Sequence, residues 1–324
     1  YLQGYDIHPK GHSLAINSRG KSFETANWEK IVHTLPATDG IRQRLIRYLN
    51  SGTGFVLVTD QGGKEQIEIH DKKSTKVKVL KNVGYGRATN MKISPDDKYA
   101  AITNHKGEIV IVDLNKGKLT VIDNSASLII SGFNWSKDSQ WLAYGITSED
   151  ETGNISMYSL KSKKSTVITE NDFMDQNPVF SPCGNYIYFL SNRIFNPVYD
   201  SVYFDANFPR TEKPFCVILN KEAENPFLPK PLTPGEEEPR DFPKWDVKKK
   251  KKKANPVNVD FDGIKERIVP MPVSEGIYDT IEATNEGIFT LSRPIKGSLN
   301  NNFYSDVIEP DGVLKVWDLV MSQE

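Results

Sequence analysis

Five arginines are the side chains best suited to chemistry in this sequence. Arg42, Arg44 and Arg47 crowd into "GIRQRLIRYLNSG", Arg87 lies in "GYGRAT", and Arg193 in "SNRIFNP". A guanidinium presents a planar fork of donors that matches a carboxylate. Clustered arginines therefore suit the terminal carboxylate or acidic side chains of a peptide. The competing use is structural, since such arginines also pair with aspartates of a neighbouring element.

Other chemistries find little support. There is no G-x-S-x-G elbow, no H-E-x-x-H and no Walker lysine. "GYGRAT" has two glycines of a dinucleotide fingerprint but precedes a strand pattern. "DFDG", Asp260–Gly263, lacks the later ligands of a calcium loop and suits a turn. His8 and His12 are four apart but flank a turn, so they are expected to be solvated rather than a metal pair. No catalytic residue, metal site or cofactor is expected. Cys183 and Cys216 suit no disulfide scaffold or zinc site and are expected to be buried thiols. The net charge of −1 gives no global field for nucleic acid. No apolar run approaches the roughly 20 residues that cross a bilayer.

The elements that must position these arginines repeat. "HPKGHSLAI", "NSGTGFVLV", "SPDDKYAAI", "SKDSQWLAY", "SPCGNYIYF" and "ATNEGIFTL" each join a tight turn to an apolar strand. They begin at 8, 50, 94, 136, 181 and 283, so the first spacings are 42, 44, 42 and 45 residues. Within a unit, runs rich in Val, Ile, Tyr and Thr alternate with Gly, Asn and Asp turns. Four strands per unit is the arithmetic of a propeller blade. The fold class is all-β, a β-propeller of four-stranded blades over residues 1–324. The blades are placed at about 1–37, 38–81, 82–123, 124–170, 171–272 and 273–324. Arg42, Arg44 and Arg47 then lead into or lie in an inner strand, Arg87 opens the next blade, and Arg193 follows the second strand of the fifth.

The spacing of 102 residues after 181 marks an insertion, assigned to 221–256. It is rich in Pro, Glu and Lys, with Glu236–Glu238 and the run Lys248–Lys253, and is expected to be a solvated loop within the fifth blade. "NRIFNPVYDSVYFDANFPR", Asn192–Arg210, is aromatic and suits docking or packing. The sixth unit reaches a third strand, "GVLKVWDL", without a fourth. This suggests either a six-bladed ring or a natural domain that continues into a seventh blade, the latter being preferred.

"AINSRGKSFE", "GIRQRLIRYLNSG", "GKLTVIDNSASLIISGFNWSKDSQWLAYG", "NPVFSPCGNYIYFLSNRIFNPVYD" and "VNVDFDGIKERIVPMPVSEGIYD" resemble, in order and spacing, the tricorn protease family. The likeness is to the second, seven-bladed propeller of that tricorn-type serine peptidase. Single turn motifs are weaker, because TolB-like and prolyl-oligopeptidase-type propellers share them. The resemblance implies a non-catalytic propeller that gates or guides oligopeptides to a serine-protease site in other domains. It implies oligopeptides and the other domains of the same polypeptide as partners, with a homo-oligomer as an option, while the charge and the short apolar runs give the expectation of no nucleic-acid or membrane partner. The cytoplasm is the expected compartment, with the periplasm as alternative. The other functional classes are a TolB-like protein-binding propeller and the propeller of a prolyl-oligopeptidase-type enzyme.

Overall fold

A computed structural model describes residues 2–28, 32–74, 76–81, 83–202, 204–228, 255–294 and 312–319. The lysine run and the acidic triplet of the insertion lie outside the described residues.

The repeat units fold as antiparallel meanders. Residues 1–130 form one compact unit and residues 131–324 another. The first holds three four-stranded sheets. These are β1 (Leu2–Ile7), β2 (Ser13–Ser18), β3 (Lys21–Ala26) and β4 (His33–Thr34); β5 (Gln43–Tyr48), β6 (Gly54–Thr59), β7 (Gln66–Asp71) and β8 (Val77–Leu80); and β9 (Ala88–Ile93), β10 (Tyr99–Asn104), β11 (Glu108–Asp113) and β12 (Leu119–Asn124). The second unit holds the sheet of β13 (Ile130–Trp135), β14 (Trp141–Thr147), β15 (Gly153–Ser159) and β16 (Lys164–Val167). Next comes β17 (Asp175–Phe180), β18 (Tyr186–Ser191), β21 (Lys213–Ile218) and β22 (Ile268–Pro270), with the small hairpin β19 (Val198–Asp200) and β20 (Asp205–Asn207) set into it. The last sheet is β23 (Ile277–Ala283), β24 (Gly287–Arg293) and β25 (Val313–Asp318). Among the described residues no helix is long and apolar enough to cross a membrane.

Within each unit neighbouring sheets bury apolar faces against one another, which is why a single repeat cannot stand alone. Ile46, Tyr48, Phe55 and Leu57 pack with Ala15 and Leu35 between the first two sheets. Val56, Val58, Met91, Ala100 and Ile102 fill the space between the second and third. In the other unit Ile155 and Met157 meet Ile187, Phe189 and Val217. Tyr188, Leu190 and Cys216, on the opposite face of that sheet, meet Ile281, Ile288 and Trp317.

The repeated turns share one geometry. Their fourth residue sits at positive φ in Gly11, Asp97, Ser139 and Gly184, and Gly52 takes the same place in the turn that starts at Leu49. At Ser94 the hydroxyl bonds Asp96 at 2.7 Å and accepts the Tyr99 N–H at 2.9 Å. Ser136 repeats this with Asp138 at 2.6 Å and Trp141 at 2.9 Å. His8 stands where these turns have serine. It is buried rather than solvated, stacks on His12 at 3.9 Å between ring centroids, and accepts the Lys10 N–H at 3.0 Å through Nδ1. Cys216 is buried as expected, but Cys183 is only half-buried, because its turn holds it beside Ser181 at 2.7 Å.

The flanks of the insertion belong to the core. Phe227, inside the span assigned to the insertion, is buried against Tyr188 and Trp317. Val257 is buried on the other face of the same sheet, and its N–H reaches Asp138 at 2.9 Å. "VNVDF" forms no strand, whereas "IVP" supplies the fourth strand of the blade, β22.

Candidate functional site

A bulge in β5 builds the arginine cluster. Along a regular strand Arg44 and Arg47 would face opposite ways, because side chains alternate. Arg44 pairs with Val58 and Arg47 with Val56, so β5 contains one residue more than β6 over that interval. Leu45 absorbs the extra residue at φ 51°, a conformation leucine seldom takes. The slip puts both arginines on one side. They line a cavity of about 540 Å³ with Arg42, Arg87, Gln3, Tyr5 and Asn17. Four of the five arginines singled out in the sequence meet there.

The four do different work. Arg44 donates through Nη1 to Glu65 at 2.5 Å and through Nη2 to the Ala88 carbonyl at 2.8 Å. Glu65 in turn accepts the Ala88 N–H at 2.8 Å. Arg47 donates through Nε to the Met91 carbonyl at 2.8 Å and through Nη1 to the Ile46 carbonyl at 2.9 Å. Burial pulls the Arg47 pKa down, opposed by the charge of Asp6, and burial pushes the Asp6 carboxyl up. Arg44 and Arg47 are thus spent largely on joining successive sheets. Arg42 is exposed, with Nε 3.8 Å from Asp60. Arg87 is exposed, and its guanidinium has no partner among the described residues.

The backbone at Arg87 is nonetheless fixed. Its N–H donates to Nδ1 of His105 at 3.1 Å, and its carbonyl accepts the His105 N–H at 3.0 Å. Gly86 permits this at φ 74°, since a Cβ there would lie 2.7 Å from the His105 ring. His105, Glu65 and Asp60 support the arginines but were not visible as such in the sequence. The one available signal was Gly86, a glycine directly before the arginine.

Arg193 lies in the other unit and is committed there. Its Nη2 donates to both oxygens of Asp175, at 2.8 and 2.6 Å, and its Nε to Ser191 at 2.9 Å. The guanidinium sits 5.0 to 5.5 Å from the ring centroids of Phe173, Phe189 and Phe215. Asp175 is fully buried. Among the described residues no three His, Cys, Asp or Glu side chains are grouped to hold a metal ion.

The arrangement is a recess lined by four arginines in which the Arg42 and Arg87 guanidinium groups are exposed, and such groups can pair with a carboxylate. Comparison with known proteins gives the same lineage as the residue pattern. The family model described as "Tricorn protease second beta propeller domain" matches residues 2–324. A tricorn protease homolog of Saccharolobus solfataricus is 30% identical over 310 residues, covering 95% of this chain and 26% of that protein. Tricorn protease homolog 1 of Streptomyces coelicolor is 28% identical, covering 98% and 30%. The crystal structure of the tricorn protease superposes with a TM-score of 0.79 at 24% identity, over 98% of this chain and 30% of that one, and shows the β-propeller fold. The chain therefore spans about a third or less of the length of these relatives.

Proposed function

We propose that this chain, which belongs to the tricorn protease family as its second β-propeller domain, guides oligopeptides toward a proteolytic centre and is itself non-catalytic. The observation that carries this reading is the cavity lined by Arg42, Arg44, Arg47 and Arg87. Two of its guanidinium groups are held by carbonyls and a carboxylate of the fold, which fixes the walls. Arg87 and Arg42 remain for the terminal carboxylate or an acidic side chain of a passing peptide. The relatives are proteases by name. In this reading the serine nucleophile, its histidine base and the oxyanion hole lie outside residues 1–324.

Titration of a short peptide against its C-terminal amide tests the recess. The free acid should bind about tenfold more tightly, and the difference should shrink as salt is raised. Arg87→Ala should abolish the preference, whereas Arg210→Ala, an exposed control in the other unit, should keep it. Equal affinity of acid and amide for the unmodified chain would defeat the proposal. The non-catalytic part is tested by incubating the chain with fluorogenic peptides. No turnover is expected; turnover blocked by a serine-directed reagent would place the chemistry here after all.

A further inference from the structure

The segment between β18 and β21 leaves the blade and forms its own two-stranded sheet, β19–β20. It places large apolar side chains in water. Phe195 is 81% exposed and Phe204 77%, and Val198, Tyr199, Val202 and Phe208 are exposed as well. Six such residues within fourteen positions is not the scattered exposure that every protein shows. Together they expose on the order of 700 Å² of apolar side chain, on both faces of the hairpin, because Val198 and Tyr199 are successive residues of β19. Two details indicate that the surface is prepared. The Phe195 and Phe208 rings already stack at 5.1 Å between centroids. Phe204, in the hairpin turn, takes φ 56°, where asparagine or glycine would be unstrained. Backbone strain kept under an exposed aromatic points to a use for that side chain elsewhere.

We infer that this hairpin docks into an apolar groove on a further domain of the same polypeptide. The matched relatives carry some two-thirds or more of their length outside the corresponding segment. A domain tethered to the hairpin presents its groove at an effective concentration in the millimolar range. A second copy of the chain at ordinary concentrations competes poorly with that. The inference is independent of the arginine recess, which lies in the other unit.

Hydrogen exchange of residues 195–208 in the full-length polypeptide and in residues 1–324 alone is the test. Exchange in the full-length protein should be slower by about tenfold or more, at every protein concentration. The triple variant Phe195→Ser, Tyr199→Ser and Phe204→Ser should remove that protection. Since all three side chains are exposed, the same variant of residues 1–324 should melt where the unmodified chain does. Equal exchange in the two proteins would overturn the inference. So would protection that rises with concentration in residues 1–324 alone, which would assign the hairpin to self-association. Protection that survives the triple variant would show that the aromatic residues do not make the contact.

Discussion

Two carboxylates of the first unit titrate in opposite senses, and their surroundings say why. Burial alone would raise Glu24, but hydrogen bonds from Lys72, Tyr48 and Ser13 and the lysine charge outweigh it and hold the carboxyl low. The stabilisation it contributes is full above its unfolded pKa of about 4.3 and disappears as pH falls through the lower folded value. Burial raises Asp6 in spite of the Tyr48 N–H and Arg47. Its contribution is full below an unfolded pKa of about 3.9 and is lost as pH rises through the folded value. Glu24→Gln should therefore lower Tm at pH 7 and cost nothing near pH 2. Asp6→Asn should gain on the unmodified chain as pH rises from 3 to 7. Melting curves across that range decide both, and a pH-independent difference for either would refute the assignment. Arg193 and Asp175 set a larger effect. Arg193→Met leaves a buried carboxylate without its cation and should cost about 3 kcal/mol or more in denaturant unfolding. Arg193→Met with Asp175→Leu should recover much of that loss, as replacing both partners of a buried pair often does.

Among the elements, the first strand of the sheet is the informative one. β1, β5, β9, β17 and β23 each contain a register shift. In four of these strands a side chain of the preceding sheet accepts an N–H. Asn17 takes that of Ile46, Glu65 that of Ala88, Asn134 that of Phe180, and Glu212 that of Tyr278. Bulge and acceptor together join one blade to the next. The sequence showed the strands and turns plainly, because apolar runs and turn residues recur at a near-constant spacing. It could not show the bulges, since one extra residue leaves composition and spacing almost untouched. For that reason Arg42, Arg44, Arg47 and Arg87 were identifiable as a group, while their division into connectors and exposed groups was not. Arg193 looked equivalent to them, and only its contacts with Asp175 and three phenylalanines set it apart. The second strands tolerate far less. A Cβ on Gly54 would lie 2.1 Å from the His70 carbonyl oxygen, inside the β6–β7 pair. Gly54→Ala should cost about 1–3 kcal/mol, as overpacking does. Urea titration would show this as a lower midpoint at an unchanged m-value, and an unchanged midpoint would mean that the pair can open at no cost.

At the scale of the chain, the insertion has ends anchored in the core, and removing the charged stretch between them should leave the fold intact. Phe227 enters the core on one face of the fifth blade and Val257 on the other. Sheets pack about 10 Å apart, so the two layers that hold these anchors are also on the order of 10 Å apart. Deleting 236–253 leaves residues 229–235 and 254 between the described flanks, eight residues in all. Eight residues span up to about 28 Å when extended, enough to go around the sheet. The deleted stretch is Glu-, Pro- and Lys-rich and has little apolar surface to bury. Its loss should move Tm by no more than about 2 °C, since loop shortening of this size changes closure entropy by only about 1 kcal/mol. Phe227→Ala, by contrast, removes a buried ring from between Tyr188 and Trp317 and should cost about 3–5 kcal/mol. Measured side by side, the single substitution should destabilise far more than the eighteen-residue deletion. The reverse ranking would mean that the charged interior, rather than its apolar ends, holds the fifth blade together.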